Sequence, residues 1–378
     1  MQGRIHLIRY ARVIQIAAFS IGMMALASDA LAQQAQDGVR IQGRTPLNTA
    51  LPLPVQTGPI LDFREELRTL VQRISTYARS QRSGFSIIVR DAGDLLIKRD
   101  VQDEKIISPA RTFMRSVDGI MFDGVFVGHG QVGVVPPPEA QQVMNERIQR
   151  AKRAGLPIFS MEFAAKPDVI NNAYRQARAL NVVSNVVHRP TSDLAELPPH
   201  PRRPNNENPN NILSLADVRN FAYITEPAAW GRQDQFALDI HGTNFDLIIV
   251  DPFSGREPLS KAAIETLKYK KLGARRLVFA RMDIGTVASY RYYWQPGWTE
   301  GSPMWIAEPY PGDPDRYFVE YWRPGWHDVI FGNEKSFLFG LIAQGYDGVV
   351  IEGLRNYLAF EGNVEIPQAF APVQYPTN

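Results

Sequence analysis

The amino-acid sequence predicts an α/β protein built as a (β/α)8 barrel, and two observations support this. Eight short apolar segments rich in β-branched residues recur along the chain, each with the length of a buried parallel strand. Helical segments separate several of them, and two or more of these end in glycine, as helix C-termini often do. Eight strands alternating with helices over about 300 residues is the rhythm of the TIM barrel. The predicted strands are 85–91, 118–126, 157–163, 181–187, 220–226, 245–251, 275–285 and 347–353.

The helices are predicted from apolar stripes at a spacing of three to four residues. The stripe of the first helix, 61–82, consists of Leu67, Leu70, Val71, Ile74 and Ala78. An open doubly wound sheet is the alternative arrangement, but no glycine-rich phosphate loop follows any predicted strand. The other predicted helices are 138–155, 167–180, 260–273 and 334–345.

The N-terminus has the pattern of a secretory signal peptide. Arg4, Arg9 and Arg12 precede an apolar run of about 15 residues, and Ala30-Leu31-Ala32 matches the small-x-small pattern of a cleavage site. A membrane span is the rival interpretation, but a span needs roughly 20 apolar residues. We therefore expect cleavage after 1–32, a periplasmic or secreted protein, and no membrane span after cleavage.

Composition and charge limit the remaining possibilities. The 378 residues contain no cysteine, so neither a disulfide framework nor a lipoprotein anchor is expected. A net charge of +2 does not favour a nucleic-acid partner. The chain then divides into a Pro-rich linker or arm (33–60), a barrel domain (61–362) and a C-terminal tail (363–378), with a Pro- and Asn-rich surface loop at 197–211.

Carboxylates cluster where the predicted strands end. In a barrel these ends face one mouth, where catalytic groups are found. A single carboxylate there can merely cap the following helix, but seven around one ring favour a functional site or a cationic ligand. The seven residues are Asp91, Asp123, Glu162, Glu226, Asp251, Asp283 and Glu352.

The segment 290–326, between the last two predicted strands, is rich in aromatic residues. It contains five of the six tryptophans. Such a loop could pack on itself, but flat amphipathic rings beside carboxylates also suit a glycan groove. We expect Trp294, Trp298 and Trp305 to stack against sugars.

The C-terminal half of the chain contains three recognisable motifs, 277-LVFARMDIGTVASYRYYW-294, 321-YWRPGWHDVIF-331 and 345-GYDGVVIEG-353. They resemble those of glycoside hydrolase family 114, the endo-α-1,4-polygalactosaminidase-like barrels. Two further motifs, 223-YITEPAAW-230 and 245-FDLIIVDPF-253, are similar to the usual opening of these proteins. The resemblance covers nearly the whole chain after the signal peptide and implies a barrel that cleaves a polysaccharide without a cofactor.

The order of the motifs differs from that of the family. In the family the strand resembling "GFDGVYLD" precedes a helix and two strands whose counterparts here are 64-REELRTLVQRISTYAR-79, 85-FSIIVRDAGDLL-96 and 118-DGIMFDGVF-126. We therefore predict a circular permutation, in which helix 61–82 lies beside strand 347–352. A closed barrel tolerates this because new termini can open in any exposed loop.

The resemblance implies a catalytic pair. The family's Asp in "GVYLD" matches Glu352 and its Glu in "GIGRE" matches Asp123, so each carboxylate is exchanged for the other type. We expect Glu352 as nucleophile or base and Asp123 as acid, facing one another with separated pKa values. The expected substrate-binding residues are Asp91, Glu162, Tyr223, Glu226, Asp251, Asp283, Tyr290, Arg291, Trp294, Trp298 and Trp305.

Two classes of function fit this sequence. The first is a secreted or periplasmic glycoside hydrolase acting on a polysaccharide, including one with galactosamine, whose ammonium groups would suit an acidic mouth. The second is a non-catalytic glycan-binding barrel in a polysaccharide export or matrix system, favoured by the Asp/Glu exchanges and by Thr286, where bacterial relatives often have Glu. A metal enzyme is a weaker option, because the six His residues are scattered without paired ligand spacing.

Overall fold

The fold is taken from a computed structural model that describes residues 61–100, 103 and 105–362. The predicted signal peptide (1–32), the Pro-rich arm (33–60) and the C-terminal tail (363–378) lie outside the described residues.

Eight parallel strands form a nearly closed barrel, which confirms the predicted fold class. Their order around the sheet is β4-β3-β2-β1-β8-β7-β6-β5. In the described chain, β4 and β5 approach each other at the ends of this order without a ladder between them. In chain order the strands are β1 (Ser86–Arg90), β2 (Gly119–Asp123), β3 (Ile158–Phe163), β4 (Val183–Val187), β5 (Phe221–Ile224), β6 (Leu247–Val250), β7 (Leu277–Asp283) and β8 (Gly348–Glu352).

Helices cover the outside of this barrel. All five predicted helices are present, but the one predicted at 260–273 ends at Leu267. Proline occupies the first turn of three helices, where its missing N–H costs no hydrogen bond. No helix among residues 61–100 and 105–362 is both long and apolar enough to cross a lipid bilayer. The helices are α1 (Phe63–Gln81), α2 (Arg111–Ser116), α3 (Pro138–Arg153), α4 (Pro167–Ala179), α5 (Gln233–His241), α6 (Lys261–Leu267), α7 (Pro324–Ile330), α8 (Phe337–Gln344) and α9 (Tyr357–Phe360).

The first helix, α1, lies beside the last strand, β8, as the sequence predicts. Near its start, Arg64 pairs with Glu361 at 2.8 Å, just beyond β8. At its end, Arg82 donates to the carbonyl of Tyr346 at 2.6 Å, just before β8. Strand β1 then pairs in parallel with β8, so α1 fills the covering position between these two strands.

Two apolar layers follow from the period of two along each strand. On β1, Ile88 belongs to the cluster inside the barrel, whereas Ile87 and Val89 belong to the cluster between the sheet and the helices. On β8, Val350 likewise points inwards, and Val349 and Ile351 point outwards. Both layers are buried, so only the ends of the barrel are available for a site.

The aromatic segment is more regular than the predicted loop. Short antiparallel strands at Thr286–Ala288, Ile306–Tyr310 and Asp313–Val319 form a three-stranded sheet between β7 and α7. The 197–211 stretch has neither helix nor strand, as predicted.

Candidate functional site

The candidate site lies at the mouth where the barrel strands end. Two residues after the interior Ile88 of β1 comes Arg90, and two after the interior Val350 of β8 comes Glu352. Because side chains alternate, these polar groups point into the same mouth as Asp123 at the end of β2. The same two-residue step places three further side chains there: Tyr223, Asp251 and Arg281.

Arg90 lies between the two predicted catalytic carboxylates. It donates from Nε to Oδ1 of Asp123 at 2.9 Å, and its Nη2 also contacts Oδ2 of that residue. Its Nη1 donates to Oε1 of Glu352 at 2.7 Å. Only 8–13% of each of these three side chains is exposed, so one buried guanidinium joins the pair.

Glu352 also binds a second guanidinium and a phenol. Arg281 donates from Nη2 to its Oε2 at 2.8 Å, and the hydroxyl of Tyr223 donates to its Oε1. Burial alone would raise the pKa of Glu352, but the charges of Arg281 and Arg90 outweigh burial and hold that pKa well below its usual range. Glu352 is therefore ionised at neutral pH.

Asp123 is shifted in the opposite direction. Burial raises its pKa to about 7, despite the neighbouring Arg90, and the charge of Asp91 adds to the rise. The backbone N–H of Asp123 donates to Oδ1 of Asp91 at 3.2 Å. The two carboxylates therefore have separated pKa values, the pattern of an acid and a base that share a site.

A third carboxylate, Asp251, continues this network. It pairs with Arg281 at 3.3 Å and accepts two hydrogen bonds from Arg291, at 3.0 and 2.8 Å. Positive and negative groups thus alternate across the mouth from Asp123 to Arg291. The arrangement is a charge-balanced network, because arginines pair with three of the carboxylates that the sequence predicts at the mouth.

Two other predicted site residues accept hydrogen bonds from the backbone of nearby loops. Glu162 is fully buried, and its Oε2 accepts from the N–H groups of Phe126 and Val127 at 2.9 and 3.0 Å. Burial raises the pKa of Glu162 to about 8, so it is largely protonated at neutral pH. Asp283 accepts from the N–H groups of Gly285 and Thr286 at 2.8 and 3.0 Å, which orders the turn after β7.

Glu226 and Tyr290 lie farther out. Both line a cavity of about 200 Å³ together with Asp251 and Arg291. Glu226 is exposed, and partial burial raises its pKa from the ordinary value. The hydroxyl of Tyr290 donates to Asp313 at 3.1 Å.

The three predicted tryptophan platforms form a continuous aromatic row. Trp294 stacks on Tyr317 with ring centroids 5.8 Å apart, and its edge meets Trp298 at 5.6 Å. Trp298 in turn meets Trp305 at 4.8 Å. Trp294 and Trp298 are partly exposed, whereas Trp305 is buried against Trp326. The first two can present ring surface to a ligand, and the burial of Trp305 favours the packing interpretation for that residue.

The two predicted catalytic carboxylates open onto different cavities. Asp123 and Asp91 line a cavity of about 470 Å³, which also contains His129 and Arg355. Glu352 lines a separate cavity of about 70 Å³ beside Arg281. The larger of the two falls in the size range of small-molecule sites. Across residues 61–100, 103 and 105–362, no group of three His, Asp or Glu side chains is arranged to hold a metal ion.

Arg90 and Arg281 are central to the site but were not among the predicted site residues. Both lie in predicted strands, 85–91 and 275–285, but the pattern of carboxylates at strand ends does not include arginine. Period-two alternation would have found them, because each lies two positions after an interior apolar residue, Ile88 or Phe279.

Comparison with known proteins gives partial relatives. No protein-family model matches the sequence. The chain is 33% identical over 118 residues to an uncharacterized protein of Deinococcus radiodurans, a match of 31% of this chain and 36% of that protein. It is 28% identical over 132 residues to an uncharacterized protein of Thermotoga maritima, a match of 34% of this chain and 39% of that protein. It is 32% identical over 153 residues to an uncharacterized protein of Methanocaldococcus jannaschii, a match of 39% of this chain and 42% of that protein. The chain thus spans about two fifths of the length of each relative.

Proposed function

We propose that this protein is a glycoside hydrolase of the periplasm or the extracellular space, with Asp123 as general acid and Glu352 as general base or nucleophile. The observation that carries the proposal is the separation of their pKa values. One carboxylate is held ionised by two guanidinium groups, and the other is raised to a pKa of about 7 by burial. A protonated acid beside an ionised carboxylate at a barrel mouth is what glycosidic cleavage requires.

The spacing of the pair supports a reaction with inversion. Asp123 binds Nε and Nη2 of Arg90 and Glu352 binds Nη1, so a whole guanidinium group separates the two carboxyl groups. Inverting glycosidases separate their carboxyls by roughly 6.5 to 9.5 Å, to leave room for water, and retaining enzymes by roughly 5 to 5.5 Å. In the proposed step Glu352 takes a proton from the attacking water, and Asp123 gives its proton to the leaving oxygen.

This reaction requires Arg90 to move out from between the carboxylates. Displacement of Arg90 would also raise the pKa of Glu352, since it removes one of the two guanidinium groups that lower it. A saccharide that binds in the mouth and takes up the hydrogen bonds of Arg90 would therefore make Glu352 a stronger base.

A second candidate function is a non-catalytic glycan-binding barrel in a polysaccharide export or matrix system. The observation that favours it is the same Arg90, which closes the gap between Asp123 and Glu352 and leaves them facing separate cavities. The partly exposed Trp294 and Trp298 serve either function, since stacking on sugars does not require cleavage.

We further propose membership of the family 114 type of barrel in a circularly permuted form. The resemblance at 277–294, 321–331 and 345–353 supports this, as does the place of α1 between β8 and β1. In the family order a helix follows the strand that ends in the catalytic carboxylate, and α1 fills that position here from the other end of the chain.

The test of the proposed function is a screen of the purified protein lacking residues 1–32 against a glycan panel. The panel contains neutral, acidic and amino-sugar polymers, with acetylated and deacetylated galactosamine and glucosamine included. New reducing ends from at least one polymer would support the hydrolase. Binding without any cleavage would favour the second candidate, and neither binding nor cleavage would contradict both.

A further inference from the structure

A small cavity beside Glu352 contains an arginine, Arg316, that makes no hydrogen bond within the part of the chain that the structure describes. The cavity has a volume of about 70 Å³, and three guanidinium groups line it, those of Arg281, Arg291 and Arg316. Arg281 already pairs with Glu352 and Asp251, and Arg291 binds Asp251 through two hydrogen bonds. Arg316 is the one whose donors remain to be satisfied.

The position of Arg316 is fixed by the sheet at the mouth. It lies on the strand Asp313–Val319, opposite Ala288, and on the same face as the buried Phe318. Its Nε is buried and makes no hydrogen bond. The nearest carboxylate, that of Asp313, is 3.8 Å from Nε, too far for a hydrogen bond. Within the described residues its two terminal nitrogens also make none, so a planar fork of donors lines the cavity.

The carboxylates in the same cavity offer no matching acceptor. Asp283 accepts from the backbone of Gly285 and Thr286 and from the Thr286 hydroxyl at 2.7 Å. Glu352 is occupied by Arg90, Arg281 and Tyr223. Within the described lining, the charged group with most unused hydrogen-bonding capacity is therefore the Arg316 guanidinium, and its complement is an anion.

The cavity is too small for a whole sugar, so the anion it could hold is a charged group that projects from a larger ligand. About 70 Å³ is room for a group of carboxylate size, since one water occupies about 30 Å³ of liquid, and it is far below the roughly 300 Å³ of the smallest drug-sized pockets. Tyr293 and Phe337 form part of the wall, so a whole sugar ring stays outside while a group projecting from it enters.

We propose that this cavity, the Arg316 cavity, binds the carboxylate of an acidic glycan, so that the substrate class is a uronic-acid-type polysaccharide. The inference rests on the proposed function only in taking the ligand to be a glycan. It departs from the galactosamine polymer that the sequence favours, because the ammonium groups of such a polymer would meet Arg316 and find the nearby carboxylates already paired.

Binding of matched oligosaccharides by titration calorimetry tests this inference. The probes are an oligogalacturonate, a neutral galacto-oligosaccharide and an oligogalactosamine of equal length, with acetate and inorganic sulfate as small-anion probes. The proteins are the wild type, Arg316→Gln, Arg316→Lys and a control, Arg111→Gln, in which an exposed arginine on the outer helix α2 is changed. The Lys variant keeps the charge but loses the planar fork, and it preserves the test if the Gln variant fails to fold.

We expect the wild type and Arg111→Gln to bind the oligogalacturonate at least tenfold more tightly than the other two oligosaccharides. Arg316→Gln should lose at least tenfold in affinity for the oligogalacturonate alone, and Arg316→Lys should lie between. Equal or tighter wild-type binding of the neutral or amino sugar would overturn the inference and leave the proposed hydrolase intact. Acetate or sulfate binding as tightly as the oligogalacturonate would also overturn it, since the site would then be one for small anions.

The outcome is separable from that of the proposed function. Acidic-glycan binding that depends on Arg316, without cleavage, would support the cavity and contradict the hydrolase. Cleavage of a neutral polymer, with the Arg316→Gln variant as active as the wild type, would support the hydrolase and contradict the role proposed for the Arg316 cavity.

Discussion

The two ends of the barrel both contain buried ion pairs, and the pairs differ in what surrounds them. At the end where the strands begin, Lys270 Nζ lies 2.5 Å from Asp246, and both side chains are completely buried. The remaining donors of Lys270 go to backbone carbonyls of Asn208 and Asn210, at 3.1 and 2.9 Å. This closed cluster anchors the irregular 197–211 stretch beneath the barrel.

At the mouth, the ion pairs of Asp123 and Glu352 border cavities instead of being fully enclosed by protein. Asp123 and Glu352 each border a cavity, their pKa values move in opposite directions, and Arg316 nearby has donors to spare. A buried ion pair is thus weak evidence of function by itself. Access to a cavity and unmatched hydrogen-bonding capacity distinguish the mouth from the closed end.

The largest expected effect on stability comes from breaking the closed pair. Lys270→Met should lower the free energy of unfolding by about 3 to 5 kcal/mol, because it leaves the buried Asp246 carboxylate without its cation. Arg90→Met should cost less, about 1 to 3 kcal/mol, since Glu352 retains Arg281 and Asp123 can take up a proton. Urea unfolding of both variants measures the difference. If Arg90→Met lowered the free energy of unfolding more than Lys270→Met does, the proposed difference between the closed end and the mouth would be wrong.

The next effect is a pH dependence that belongs to the mouth alone. If Asp123 is the general acid with a pKa of about 7, kcat/KM should fall about tenfold for each pH unit above 7 as the acid is lost. The free energy of unfolding should also fall as the pH rises. The pKa of Asp123 in the folded state lies above its unfolded value of about 3.9, so the folded state binds the proton more tightly. The Asp123 contribution is therefore complete below pH 4 and lost as the pH rises to 7.

Unfolding of Asp123→Asn measured between pH 4 and 8 isolates this contribution. The variant should lack the fall in stability that Asp123 produces across this range. Glu352 acts in the opposite sense, since its lowered pKa stabilises the fold above its unfolded value and this stabilisation is lost as the pH falls. Identical pH profiles for the wild type and Asp123→Asn would show that the pKa of Asp123 is ordinary.

The smallest effects concern the aromatic row formed by Trp294, Trp298 and Trp305. Trp294→Ala should weaken glycan binding by roughly 1 to 3 kcal/mol with little loss of stability, because its ring is partly exposed. Trp305→Ala should instead lower the melting temperature, since that ring is buried between Trp298 and Trp326. Calorimetric binding and thermal unfolding of the two variants separate these roles, and equal effects on both measurements would not fit the difference in burial.

Much of the fold could be predicted because its signals are local. Each barrel strand is an apolar β-branched run, and the stripe of α1 is visible without its partners. The sequence does not predict the three-stranded sheet at 286–319, since one of its strands has only three residues and the other two are interrupted by Pro309 and Pro314.

The site could be predicted only in part. Asp123 and Glu352 were found from their positions at strand ends, but their joint contact with Arg90 depends on three residues far apart in the sequence. The sequence pattern suggested an acidic mouth because it counts carboxylates and cannot tell which arginines reach them. In the folded protein, arginines pair with Asp123, Glu352 and Asp251, and the donors of Arg316 make no hydrogen bond within the described residues.

The most direct test of the account is hydrolysis of the best polymer from the glycan panel by the wild type, Glu352→Gln and Asp123→Asn, with Arg111→Gln as the control. Each amide keeps the shape of the side chain but removes proton transfer, so we predict a loss of about 10²- to 10⁴-fold in kcat for each, with glycan binding retained. Wild-type turnover in both amide variants would contradict the assignment of the pair and move the reaction to another part of the mouth.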